Sequence, residues 1–381
     1  MAIERAAQEI LLNRLAPSPR GLATKEVLAQ TIAVSNPRAR ICTSRFRNLN
    51  PAKLFGRFFW EVAGREDLES ISYYDSSAVR FAKGDRIPTA YGKRLLSYGK
   101  SDLDQVGRGI ETLKADPASR RATGLILTPI DNPSTTREYP CVVGYQTLVR
   151  EDYLHMIVFV RSSSVWAVFP IDFFLFSMLQ EIIAAELGIE VGTISFMIGS
   201  MHFYKQDLES INLVMNHGMM APTYEMGPLF TEHSPKLEDM IDAEQKIRKH
   251  RAGFNFDPKL MLRYKDEEWA QMLHALIVYR NILDKEDVGR LPSYLALNPT
   301  YKMMITRHIP KKKEAKKGVT TTTSKPIRRE PKGADNKKSK LEKQSTKRAK
   351  KKATRVPSKP TSGQGEGQEV ENTSGPSGWV S

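Results

Sequence analysis

Apolar residues recur at helical spacing along Lys53–Gly64, at Leu54, Phe55, Phe58, Phe59 and Val62, and the run stops at a glycine. That pattern predicts an amphipathic helix. Ala6–Leu15 reads as a shorter helix, and Leu103–Ala115 as another, stopped by Asp116-Pro117. Strands are predicted over Ala122–Leu127, Cys141–Val149, Leu154–Val160 and Ile194–Met201. Asp172–Leu187 is apolar on most sides, which predicts a buried central helix rather than a surface one. Residues 236–250 and 266–284 are helical by period and charge. Residues 16–50 are mixed, with a turn at Pro17–Gly21. Helices and strands mix without strict βαβ alternation, so the fold class is α+β.

Charge divides the chain of 381 residues. Residues 311–360 hold 20 Lys and Arg against four acids, so nearly all of the +15 net charge lies in a tail and residues 1–310 are close to neutral. The stretch has almost no large apolar residue before Trp379 and cannot bury a core, so 311–381 is expected to be a disordered, Lys-rich tail. It could tether a polyanion, nucleic acid above all, or serve only as a solubilising extension. It has no interleaved aromatics for base stacking. Cys42 and Cys141 are the only cysteines, too few for a disulfide framework or a four-cysteine zinc site, and no metal site is expected. No signal core or membrane-length apolar run is visible. A cytoplasmic protein, or one associated with nucleic acid through its tail, is the expectation.

Three constellations could carry chemistry. Cys141 follows Pro140 at a strand start; a buried structural cysteine is the plainer reading, and a reactive thiolate would need cations nearby. The cations on offer are Arg20, Arg120-Arg121 and Arg161, the last ending its predicted strand and opening the hydroxyl run Ser162-Ser163-Ser164. Arginine with hydroxyls suits a phosphate. His202 and Tyr204 are two apart on a predicted strand and share a face; they could be structural or could meet a sugar hydroxyl.

The arrangement resembles thymidylate synthase and deoxycytidylate hydroxymethylase. The matching run is Thr89-Ala-Tyr91-Gly92-Lys93, Leu103-Asp-Gln105, Asp116-Pro-Ala-Ser-Arg120-Arg121, Pro140-Cys141, Gln146, Arg161-Ser162, Pro170-Ile-Asp172 and Gly199-Ser-Met-His202-Phe-Tyr204. A weaker match runs back through Trp60 and Gly64 to Arg20. The resemblance fades after about residue 220 and leaves the tail outside it; the domains expected are a catalytic domain over 1–235, a helical extension packed on it over 236–310, and the tail over 311–381. It implies a Cys141 thiolate that adds to pyrimidine C6 and makes C5 nucleophilic toward methylenetetrahydrofolate. Arg20, Arg161 and Ser162 would hold the nucleotide phosphate, with Arg120 and Arg121 reaching it from the other subunit of a homodimer. His202 and Tyr204 would bind the deoxyribose 3′-hydroxyl.

The base-reading position carries Asp172, as in the hydroxymethylases, where thymidylate synthases have asparagine. A carboxylate accepts from the cytosine amino group, whereas uracil O4 would meet it acceptor to acceptor. A helix N-cap is the other role open to Asp172. Several positions depart from the family. Arg57 stands where the family has its catalytic glutamate, and Glu61, four residues on, could replace it or simply pair with Arg57. Val142 replaces a histidine, Ser164 replaces a folate-contacting aspartate, and Val168-Phe169 replaces a glycine. Deoxycytidylate hydroxymethylation is the favoured activity, with deoxyuridylate methylation or an inactive nucleotide-binding protein with a DNA-binding tail as alternatives.

Overall fold

The computed structural model describes residues 2–13, 16–132, 139–217, 224–249 and 262–309, so the tail at 311–381 lies outside the described residues. Five strands form one sheet in the order β1-β5-β4-β3-β2: β1 Thr24–Val34, β2 Thr123–Leu125, β3 Val142–Arg150, β4 Tyr153–Ser164 and β5 Glu190–Tyr204. Only β4 and β5 run parallel; every other pair is antiparallel. The mixed sheet with segregated helices is the α+β architecture that the sequence predicts.

The connection between β4 and β5 is α6, Phe169–Leu187 (after α1 Ala2–Leu12, α2 Pro51–Val62, α3 Leu68–Tyr74, α4 Tyr91–Leu96 and α5 Gln105–Ala115). Its uniform apolarity has a simple cause. Phe169, Phe173, Phe176 and Ile183 pack into a core with the sheet, α1 and α5. Phe174, Leu175 and Met178, on the opposite side, pack into a second core with Phe55 and Phe58 of α2. That second core continues beyond α7 Leu208–His217 into α8 Leu237–Lys249, α9 Glu268–Leu283 and, after α10 Pro292–Ala296, α11 Pro299–Thr306, through Ile247, Trp269, Leu273 and Tyr301. A helix sandwiched between two cores has no polar face to show.

Two sequence expectations change. Residues 16–50 contain β1, an 11-residue strand paired along β5. It was hidden because its inward positions do not form an apolar alternation. The strand predicted to stop at Val160 continues through Ser164, because its parallel pairing with β5 continues past Arg161, with Ser162 opposite Ser200 and Ser164 opposite His202. Arg161 and the serines therefore lie in a strand and not in a loop after it.

Candidate active site

The pleat changes phase where the candidate residues lie. In β5 the inward positions are Ile194, Phe196 and Ile198, then Met201 and Phe203; in β4 they are Met156, Val158 and Val160, then Ser163. The alternation slips by one residue at Gly199 in β5 and at Arg161–Ser162 in β4. At the same level in β1, Ala29 takes a φ of +54°. A one-residue slip sends every later side chain to the other face. It turns Ser162, Ser200, His202 and Tyr204 together onto the outward side. Gly199 suits this bend, since a Cβ there would press on the Arg161 carbonyl oxygen at 3.0 Å.

Cys141 immediately precedes β3. Arg161 is stapled to it: its backbone N–H donates to the Cys141 carbonyl at 2.9 Å. Its Nε donates to the Pro140 carbonyl at 2.8 Å and its Nη2 to the Tyr139 carbonyl at 2.7 Å. The guanidinium lies over the Tyr139 ring, 4.9 Å from its centroid, and Nη2 is 3.9 Å from Cys141 Sγ. A fixed cation beside a thiol favours the thiolate. Arg161 remains exposed, and among the described residues no carboxylate pairs with it.

The start of β3 and the ends of β4 and β5 share one end of the sheet. That end holds Cys141, Arg161, Ser162, His202 and Tyr204. The His202 and Tyr204 rings meet edge to face, 5.3 Å apart. The backbone N–H of Val165 donates to the His202 carbonyl at 2.8 Å, and the chain then turns directly into α6. Asp172 is buried in the first turn of α6. It is not the N-cap: that position is Val168, whose carbonyl accepts the Asp172 N–H at 3.1 Å. The turn before α6 is held by Arg47, whose Nε donates to the Trp166 carbonyl at 2.8 Å with the guanidinium over the Trp166 ring. Arg47 has no carboxylate in ion-pair range among the described residues, and burial pushes its guanidinium below its ordinary range. Sequence reasoning missed Arg47, because its partners are main-chain carbonyls 119 and 120 residues away.

Arg120 and Arg121 are both exposed, just before β2. Thr123 pairs with Gln146, five residues along β3 from Cys141, roughly 17 Å at strand rise. The two arginines lie further along still, so one chain does not bring them to Cys141. Arg20 lies in the single turn Pro19–Gly21, and its side chain lies outside the described part.

Glu61 is buried, and both of its oxygens are engaged: Arg57 Nε donates to Oε1 at 2.9 Å and the Gly92 N–H to Oε2 at 2.6 Å. Gly92 has no room for a side chain, since a Cβ would overlap the Glu61 carbonyl. Of the two roles open to Glu61, pairing with Arg57 is the one seen. Val142 is wholly inside the sheet core. Ser164 is buried and its Oγ accepts the Ala167 N–H at 3.1 Å, fixing the turn into α6. No cluster of three metal-ligating side chains occurs among the described residues, and no described helix is long and apolar enough to cross a membrane.

This arrangement of a mixed sheet, a buried crossover helix and a cysteine braced by an arginine goes with sequence kinship. Thymidylate synthase matches residues 15–244, and the chain belongs to that family. It is 32% identical over 202 residues to a deoxyuridylate hydroxymethyltransferase of Bacillus phage SP01, covering 50% of this chain and 53% of the phage protein. It is 27% identical over 195 residues to thymidylate synthase 1 of Bacillus subtilis, covering 51% and 63%. It is also 32% identical over 138 residues to the thymidylate synthase of Bacillus phage phi3T, covering 36% and 49%. The chain thus spans about half to three-fifths of the length of these relatives. The family match ends inside α8.

Proposed function

We propose that the protein transfers a one-carbon unit to C5 of a pyrimidine deoxynucleotide 5′-monophosphate, with hydroxymethylation of deoxycytidylate favoured. The carrying observation is the Arg161 guanidinium fixed 3.9 Å from the Cys141 thiol in a chain of this family. In this reading the Cys141 thiolate adds to C6, C5 becomes nucleophilic, and Arg161 with Ser162 and Arg20 holds the phosphate. His202 and Tyr204 bind the 3′-hydroxyl. The buried Asp172, which is not an N-cap, accepts from the cytosine amino group. The phage relative is named for deoxyuridylate, so deoxyuridylate is the second substrate to test.

Arg120 and Arg121 serve the site of the other subunit in a two-fold homodimer. Their distance along β3 from Cys141 supports this, as does an outward sheet face that exposes Leu28, Met197 and Phe159 on three adjacent strands. Glu61 acts with Arg57 as a buried pair that seats α4 rather than as a proton relay. The 311–381 tail is proposed to add weak, salt-sensitive nucleic-acid binding without entering catalysis.

Methylenetetrahydrofolate is the one-carbon donor that the family implies. The residues here do not offer it the family's contacts: Ser164 is buried and spent on the Ala167 N–H, and Arg57 is paired with Glu61. Release of tritium from C5-labelled dCMP and dUMP, with and without methylenetetrahydrofolate, tests the proposal. Release that depends on Cys141 is expected; exchange from neither nucleotide would leave only a nucleotide-binding protein.

A further inference from the structure

β1 carries a carboxylate with no role in the scheme above. Glu26 lies directly opposite His202 in the β1–β5 register. Opposite residues of an antiparallel pair project to the same face, with Cβ atoms about 4.5–5.5 Å apart. The Glu26 carboxylate also accepts from the Ser200 hydroxyl, one pair further along that face. Glu26, Ser200, His202 and Tyr204 are all half-buried. No lysine or arginine among the described residues forms an ion pair with Glu26. The other groups that the register places around His202 are neutral: Ser164 from β4 and Tyr204 on its own strand. A carboxylate tied down by a serine and lacking a cation therefore stands beside the imidazole.

We propose that Glu26 is a positioning residue for the sugar site, fixing which nitrogen of His202 faces the ligand. The inference rests on the reading of His202 and Tyr204 as the 3′-hydroxyl pair. A carboxylate only accepts hydrogen bonds, so the imidazole nitrogen turned toward Glu26 carries a hydrogen. The other nitrogen keeps its lone pair for the ligand. The sugar 3′-hydroxyl then donates to His202 and accepts from the Tyr204 hydroxyl. The ligand class is a nucleotide with a free 3′-hydroxyl acting as a donor. A glutamine at 26 could instead donate from its amide, turning the lone pair of His202 inward and its N–H toward the sugar.

Calorimetric titration of the full chain decides this, using dCMP and dUMP, each against its 2′,3′-dideoxy counterpart. Glu26→Gln is expected to weaken the 3′-hydroxyl nucleotides about tenfold and to leave the dideoxy forms within about twofold, since one misdirected hydrogen bond is at stake. Glu26→Asp should recover part of the loss. Ser200→Ala, which loosens the carboxylate without removing it, should show the same selectivity to a smaller degree, and it decides the matter if Glu26→Gln does not fold. Equal loss on both members of a pair, or no loss, overturns the role of Glu26. His202→Ala separates the two layers. If it too weakens both members equally, the sugar assignment falls and takes this inference with it. If it discriminates while the Glu26 and Ser200 variants do not, the inference alone fails.

Discussion

Buried and half-buried charge is handled in opposite ways at the bent end of the sheet and in the helical layer beyond α6. In the helical layer each acid is closed off. Glu244 on α8 takes Arg65 at 3.0 Å, Arg248 at 2.8 Å and the Tyr74 hydroxyl at 2.8 Å. Glu268 on α9 takes the hydroxyls of Tyr301 and Tyr224 and the Gly227 N–H. On the sheet the cations are left open: Arg161 at its bent end, and Arg120 and Arg121 just before β2, are exposed, with no carboxylate in ion-pair range among the described residues. Closing a buried charge prevents the cost of an unpaired ion, whereas an exposed arginine without a carboxylate keeps its charge available for an anion that arrives later. In the proposed function the closed charges hold the fold and the open ones receive the ligand's phosphate.

The largest effect should come from the open side. Cys141→Ser is expected to abolish C5 exchange while nucleotide affinity stays within a few fold, because phosphate and sugar contacts are retained. Unchanged turnover would end the covalent mechanism. On the closed side, Glu244→Ala should cost about 3–5 kcal/mol, since it strands Arg248 and Arg65 in a buried place. Urea unfolding measures it; a loss under about 1 kcal/mol would mean that the network is not closed as described.

What was legible in the sequence follows the same divide. A helix with one strong period (Leu54 to Val62), a helix apolar on nearly every side (the run after Asp172) and strands with β-branched inward positions were readable, because local pattern and tertiary burial agree. The slip at Gly199 was not readable, since a change of phase in three neighbouring strands is a property of the sheet. Hence the expectation that Arg161 ended its strand, and the silence about β1 and Glu26. The family motif carried Cys141, Arg161, His202 and Tyr204 together without any geometry. It could not say that Glu61 would be spent on Arg57 and Gly92, because the Gly92 contact comes from 31 residues away.

Asp172→Asn tests the one buried acid that the proposed function assigns to the ligand. The ratio of dCMP to dUMP affinity should fall by about tenfold to a few hundredfold, for one mispaired polar group at about 1–3 kcal/mol. An unchanged ratio would make Asp172 a structural acid. Arg121→Ala should weaken nucleotide binding about tenfold and leave stability within about 0.5 kcal/mol, as expected of an open, exposed cation. Mixed with Cys141→Ser subunits it should restore activity, because both defects can fall in one shared site and leave the other whole. Failure to complement, or a monomer in sedimentation, would refute the crossed site.

The smallest effect concerns pH and the closed side. Burial pushes the Glu268 carboxyl above its ordinary range, while its hydrogen bonds to Tyr301 and the Gly227 N–H pull the other way without cancelling it. An unfolded glutamate titrates near about 4.3. Between that value and the raised folded one, the folded chain holds a proton that the unfolded chain has released. Stability contributed by the protonated acid is therefore full below about pH 4 and is lost as pH rises through the window. Glu268→Gln keeps the shape and an acceptor for Tyr301 but cannot ionise. Urea unfolding of both proteins from pH 4 to pH 7 should show the glutamine variant gaining on wild type as pH rises. Parallel stability curves would show that Glu268 ionises in place at no cost, and that closure by two tyrosines and one amide is as complete as the arginine closure around Glu244.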